Sequence, residues 1–87
     1  MIGDRVAMPL ADRIALALAG SITKARIKKG ITQADLARRI DVTYGAVSRW
    51  EAGTRRPSID NLIAVAAALG TTFKALTACL DRKDISS

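Results

Sequence analysis

Apolar residues recur along this chain at intervals of three and four. Ile14, Leu18, Ile22 and Ala25 set that period first and predict the buried face of a helix from about Leu10 to Lys29, with Pro9 at its start and Gly30 as its stop. Gly20 and Ser21 weaken its middle, which leaves open one helix or two, the first then an addition to the core domain. Leu36, Ala37 and Ile40 give a second, short apolar stripe. Val47 and Trp50, three apart, give the inner face of a third helix, and Val42 carries the turn between the two. A strongly apolar run after Ser58 predicts a fourth helix through Leu69, closed by Gly70. Phe73, Leu76 and Leu80 then predict a fifth, opened by Thr71 or Thr72. Strand-like alternation and internal repeats are both missing from the sequence, so the pattern implies an all-α domain of five helices.

Polar residues at the predicted boundaries agree with this segmentation. Thr32 followed three residues later by Asp35 reads as a capping box, Thr43 and Ser58 as N-caps, and Gly53 as a C-terminal stop. Asp41 falls in the turn between the second and third helices, where a left-handed residue is often needed and Asp tolerates it. Two short helices joined by such a turn over residues 32–51 form the plan of a helix-turn-helix. With Val47 and Trp50 turned inward, Thr43, Tyr44, Gly45, Ser48 and Arg49 face outward, a hydrogen-bonding face of the kind a DNA major groove accepts. Arg49 on that face suits bidentate binding to guanine, whereas Tyr44 is equally suited to packing on its own helix, touching phosphate or meeting a thymine methyl. Gln33, in the first turn of its helix, is expected to meet phosphate.

Charge sharpens the picture. Residues 24–56 carry nine basic side chains against three acidic ones (Asp35, Asp41 and Glu51), while the rest of the chain carries five of each. The whole net charge of +6 therefore falls on the stretch holding the motif, which suits a polyanion better than a merely solubilising face. The three aromatic residues, Tyr44, Trp50 and Phe73, are too few for a platform that stacks single strands or RNA.

The remaining composition narrows the chemistry. With no histidine and one cysteine, neither a structural zinc site nor an intrachain disulfide is expected, and no metal or other cofactor is implied. Cys79, beside Leu76 and Leu80, reads as a small core or interface residue without a base to activate it. No paired-carboxylate motif or phosphate-cradling glycine loop is present, so an enzyme is not expected. The run at residues 14–19 imitates part of an export signal but is too short and is followed by Lys24. No stretch approaches the ~18 apolar residues of a membrane span, so a soluble, cytoplasmic protein is expected. A domain of 87 residues buries only roughly 60–65% of its unfolded surface, which favours dimerisation. The expected layout is a flexible arm over residues 1–9, the DNA-binding domain over residues 10–80 and a tail over residues 81–87.

The run from Arg26 through Gly30, Thr32, Gln33, Leu36 and Ala37 continues with Val47, Ser48, Arg49, Trp50, Glu51 and Gly53, and then Arg56, Pro57 and Ser58. This set resembles the lambda-repressor and Cro-like (Xre-type) helix-turn-helix family over about residues 18–76. The resemblance implies a compact lambda-repressor-like DNA-binding domain carrying an N-terminal helical extension, without the effector or peptidase domain of larger members. It implies that Thr32 and Gln33 anchor to phosphate, that Thr43, Tyr44, Gly45, Ser48 and Arg49 form the base-reading face, and that Arg55 and Arg56 grip the DNA backbone. It further implies a structural ion pair between Arg26 and Glu51. Two positions depart from the pattern: Asp41 stands where the family often has glycine, and Gly45 stands where it usually has a side chain able to read bases.

The expected function is therefore a transcriptional regulator of double-stranded DNA, a homodimeric repressor reading a palindromic operator with its third helix. The alternative of another class is an antitoxin-type interaction module, which binds a toxin or other protein partner through its N-terminal helix or helix 5 and represses its own promoter.

Overall fold

The computed structural model describes residues 8–81. The helices are α1 (Leu10–Lys29), α2 (Gln33–Arg39), α3 (Tyr44–Ala52), α4 (Ile59–Ala68) and α5 (Phe73–Thr77), followed by a short 3-10 helix (Ala78–Asp81). No strand occurs among the described residues. The expected arm and tail lie almost wholly outside them; Met8 and Pro9 lead into α1, and Asp81 belongs to the 3-10 helix rather than to a tail.

Four hydroxyl caps divide the chain after α1. The N–H groups of Asp35, Ala46, Asn61 and Ala75 donate to the side chains of Thr32, Thr43, Ser58 and Thr72 at 3.0–3.1 Å, each satisfying a donor left free by the first helical turn. At Thr32 the box is complete, because its own N–H donates to Asp35 Oδ2 at 3.1 Å. Asp41 takes a positive φ of 60°, as its place in the turn requires.

α1 is one unbroken helix of 20 residues, which settles the alternatives left open by Gly20 and Ser21. Ala15, Leu18, Ala19 and Ile22 are buried on either side of the weak point, and Ser21 Oγ donates to the carbonyl of Leu76 at 2.5 Å. Packing and a long-range hydrogen bond thus outweigh the local propensity cost of one exposed glycine, about 1 kcal/mol. The same bond bears on helix 5. Sequence spacing predicts a helix reaching Leu80, but the α-helix ends at Thr77 and tightens into the 3-10 turn. The Leu76 carbonyl is engaged by Ser21, and the Thr77 hydroxyl bonds back to the Phe73 carbonyl at 2.8 Å, so the last turn is drawn away from regular α geometry.

The core joins all five helices: Leu18 and Ile22 of α1, Leu36 and Ala37 of α2, Val47 and Trp50 of α3, Leu62, Val65 and Ala66 of α4, and Leu76 of α5. Trp50, only 4% exposed, is a core residue as its periodicity implies. α1 crosses the end of α3 very closely. A Cβ on Gly53, whose φ is +78°, would lie 2.5 Å from Leu16 Cδ2, so this position needs glycine for both its backbone conformation and its neighbour.

Candidate nucleic-acid interface

α2 and α3 are coupled through the turn at Asp41, where the Val42 N–H donates to the Ala37 carbonyl at 3.0 Å. Val47, with no exposed surface, and Trp50 then fix the rotation of α3 about its own axis. Residues of the opposite face are consequently presented outward: Thr43, Tyr44 and Arg49 are exposed, and Gly45 and Ser48 are half-buried. Among the described residues, the Tyr44 hydroxyl, the Ser48 hydroxyl and the Arg49 guanidinium have no hydrogen-bond partner, so their polar groups remain available to an incoming ligand. The Arg49 guanidinium lies back along the helix over Gly45. A Cβ there would stand 3.3 Å from Nη1 and 3.8 Å from Cζ.

The far end of α3 is tied to both preceding helices by Glu51. Arg26 of α1 donates to Glu51 from Nε at 2.6 Å and from Nη2 at 2.9 Å, a two-pronged contact suited to guanidinium and carboxylate. Its Nη1 also donates to the Ile31 carbonyl at 2.8 Å, bracing the bend between α1 and α2. Thr23 and Gln33 complete the cluster by donating to Glu51 Oε1 at 2.9 and 3.1 Å. The Glu51 side chain is 4% exposed. Burial pushes its carboxyl pKa up, but the hydrogen bonds from Arg26, Gln33 and Thr23, with the charge of Arg26, outweigh this and hold it below its usual range. The Arg26 pKa is correspondingly raised, chiefly by its hydrogen bond to Glu51. Thr23 was not singled out from the sequence, although its place three residues before Arg26 puts it on the same helix face.

The proposed phosphate anchors are more constrained than their positions suggest. Gln33 spends one amide donor on Glu51, which orients the side chain. Thr32 uses its N–H and its oxygen within the capping box, leaving the hydroxyl proton as its donor. The Asp35 carboxylate occupies the same helix start, held below its usual pKa first by the Thr32 backbone N–H and then by Arg38. Beyond α3, Arg55 and Arg56 are both exposed, but Arg56 also borders a small cleft with Ile14, Leu18 and Ile59 where α1 meets α4.

The basic residues of positions 24–56, close together in sequence, divide among several places in the fold. Arg26 is committed to Glu51, and Arg38 pairs with Asp35. Lys24, Lys28 and Lys29 line a groove of about 1050 Å³ whose other wall is the α4–α5 turn and α5. Arg39, at the end of α2, and Arg49, Arg55 and Arg56, on and just beyond α3, are left exposed.

The helix-turn-helix family HTH_3 matches residues 22–76, which include the Glu51 cluster, the α2–α3 turn and the outward face of α3. The chain belongs to this family. Solved structures similar to this HTH_3 chain include the clp gene regulator ClgR from C. glutamicum, at 27% identity and a TM-score of 0.75, covering 88% of this chain and 95% of that one. A hypothetical transcription factor, NHTF, from Neisseria is also 27% identical, with a TM-score of 0.71 and 84% of each chain covered. An HTH_3 family transcriptional regulator from Vibrio cholerae shares the fold at 22% identity and a TM-score of 0.72; the match covers 78% of this chain and spans 38% of that protein. No curated protein matches the chain. Among the described residues, no single helix is long and apolar enough to cross a membrane.

Proposed function

We propose that this HTH_3 protein is a cytoplasmic, sequence-specific double-stranded DNA-binding transcriptional regulator, acting as a dimeric repressor on a palindromic operator. One observation carries the reading: Val47 and Trp50 lock α3 so that Thr43, Tyr44, Gly45, Ser48 and Arg49 form its outer surface, with polar groups on Tyr44, Ser48 and Arg49 that have no partner among the described residues. The transcription regulators among its structural neighbours support it. In the proposed mechanism α3 enters the major groove, and the Arg49 guanidinium contacts a guanine edge. Thr32, Gln33, Arg55 and Arg56 contact phosphates on either side, setting register and supplying sequence-independent affinity. A bound dimer would then occlude polymerase. Selection of bound sites from a random duplex pool tests this. Enrichment of an inverted repeat is expected, and a pool that stays random overturns sequence-specific reading.

A second reading, an antitoxin-type module that binds a toxin or other protein partner, draws on the open groove between α1 and α5, rimmed by Lys24, Lys28 and Lys29. Stoichiometric co-purification of a second small protein, with DNA binding retained, would favour it. A chain that purifies alone and selects an inverted repeat favours the homodimeric regulator.

A further inference from the structure

Gly45 is an anomaly in α3. It sits in the first helical turn, where glycine costs a helix about 1 kcal/mol relative to alanine, yet its φ is not among the positive ones, so backbone conformation does not demand it. What occupies the space of its missing side chain is Arg49, four residues on. A Cβ at position 45 would lie 3.3, 3.8 and 3.9 Å from Nη1, Cζ and Nη2, so the end of the guanidinium lies over the place where a side chain would begin. The contact at 3.3 Å is tighter than ordinary van der Waals packing, so a Cβ there would shift the flexible end of Arg49 by a few tenths of an ångström. The Arg49 carbonyl is held from the other side by the N–H and hydroxyl of Thr54, at 3.1 and 3.3 Å, so the backbone of Arg49 is fixed and the adjustment falls on the side chain.

We propose that Gly45 is a specificity-determining positioning residue: by lacking a side chain it seats the Arg49 guanidinium against the first turn of α3, and so selects which base edge that guanidinium meets. This deepens the reading of α3 as the base-reading helix and rests on it. A guanidinium recognises guanine through two parallel hydrogen bonds of fixed spacing, a geometry that tolerates little displacement. Gly45 thereby contributes to sequence choice without itself touching a base, although a glycine in a reading face suggests the loss of a contact.

The test is a double-mutant cycle with Gly45→Ala, Arg49→Ala and the two combined, each measured on the site selected by the wild-type protein, on its single-base variants and on a random duplex. Arg49→Ala identifies the base pair that Arg49 reads. Gly45→Ala is expected to reduce or redirect selectivity at that same base pair by roughly threefold or more, a fraction of the roughly five- to 150-fold range of a full bidentate contact. It should not lower the melting temperature, because alanine is the better helix former. In the Arg49→Ala background, Gly45→Ala should change no base preference. An unaltered preference profile in Gly45→Ala overturns the proposal. So does an effect that persists without Arg49, which would mean that position 45 itself approaches the DNA. Failure of the wild-type protein to select any site overturns the base-reading role of α3 instead, and the two failures are thus distinct.

Discussion

Arg26 on α1 and Glu51 at the end of α3 are joined by two hydrogen bonds, at 2.6 and 2.9 Å, with their side chains 15% and 4% exposed. This contact carries the orientation of α3, because the same carboxylate also accepts from Thr23 of α1 and Gln33 of α2. Removing the carboxylate strands the Arg26 guanidinium and two neutral donors in a site from which water is largely excluded. Glu51→Ala should cost about 3 kcal/mol, as expected when a buried pair loses one member. Glu51→Gln keeps an acceptor and should cost less. Urea unfolding of the two variants checks this, and a loss under about 1 kcal/mol for Glu51→Ala would mark the pair as no stronger than an exposed one.

Acid should weaken the fold through the same residue. The folded carboxyl of Glu51 is held below its ordinary value of 4.5, so the unfolded chain binds the proton more readily. The stabilisation is therefore complete above about pH 4.5 and is lost as the pH falls through the lower folded value. Asp35 is shifted in the same direction and adds to the slope. Urea midpoints recorded between about pH 6 and 3 should fall more steeply for the wild type than for Glu51→Gln. Equal slopes would remove Glu51 from the explanation.

Salt dependence should report the dispersal of the basic residues. Each phosphate neutralised contributes about 0.9 to the slope of log affinity against log salt. Lys28→Ala and Lys29→Ala, on the groove beside α5, should leave that slope unchanged, while Arg55→Ala should lower it by about one contact. A lowered slope in the lysine variants would place the α1–α5 groove against DNA.

Reading and gripping should separate on α3 and the loop after it. Arg49→Ala is expected to cost roughly 1–3 kcal/mol on the preferred site and to relax choice at one base pair per half-site. Arg56→Ala should weaken preferred and random duplexes alike, by a smaller amount than Arg55→Ala, since Arg56 also lies along the cleft beside Ile14. Binding across single-base operator changes compares the roles. Arg49 would belong with the phosphate grip if its loss lowered every site equally.

Dimerisation should depend on the surface shared by α1 and α5. Leu16, Ala75 and Ala78 are exposed along the groove there, whereas Leu80 packs against the core and is unsuited to an interface test. Ala75→Glu places a charge on that surface at a position in the first turn of α5 where an acidic residue favours the helix. Sedimentation should show wild-type dimers, with half-sites about 34 Å apart on DNA, and a monomer for Ala75→Glu. Unimpaired dimers in the variant would move the interface elsewhere.

Much of the fold was legible because its signals are local. A threonine or serine caps the N–H three residues ahead, Gly30 and Asp41 take left-handed backbone where the helices end, and Val47 with Trp50 gives the buried side of α3. These interactions span a single turn, so the order of residues is enough to specify them, and with them the outward set of Thr43, Tyr44, Gly45, Ser48 and Arg49. Other features required residues distant in sequence to meet. Ser21 reaches the Leu76 carbonyl across 55 positions, which keeps α1 whole and shortens α5. Glu51 draws Gln33 away from a purely surface role, and the basic run divides between a buried pair, a groove beside α5 and the face of α3. Rotamer choice gave the last of these: that Arg49 lies over Gly45 depends on which side of α3 faces the core and which stays open. The sequence by itself determined where α2, α3 and α4 begin, through their hydroxyl caps, and which face of each is buried, through apolar spacing, because both signals lie within one or two turns of chain. Only tertiary structure decided which charges remain free, because a charge is spent or spared by neighbours that the chain brings from elsewhere.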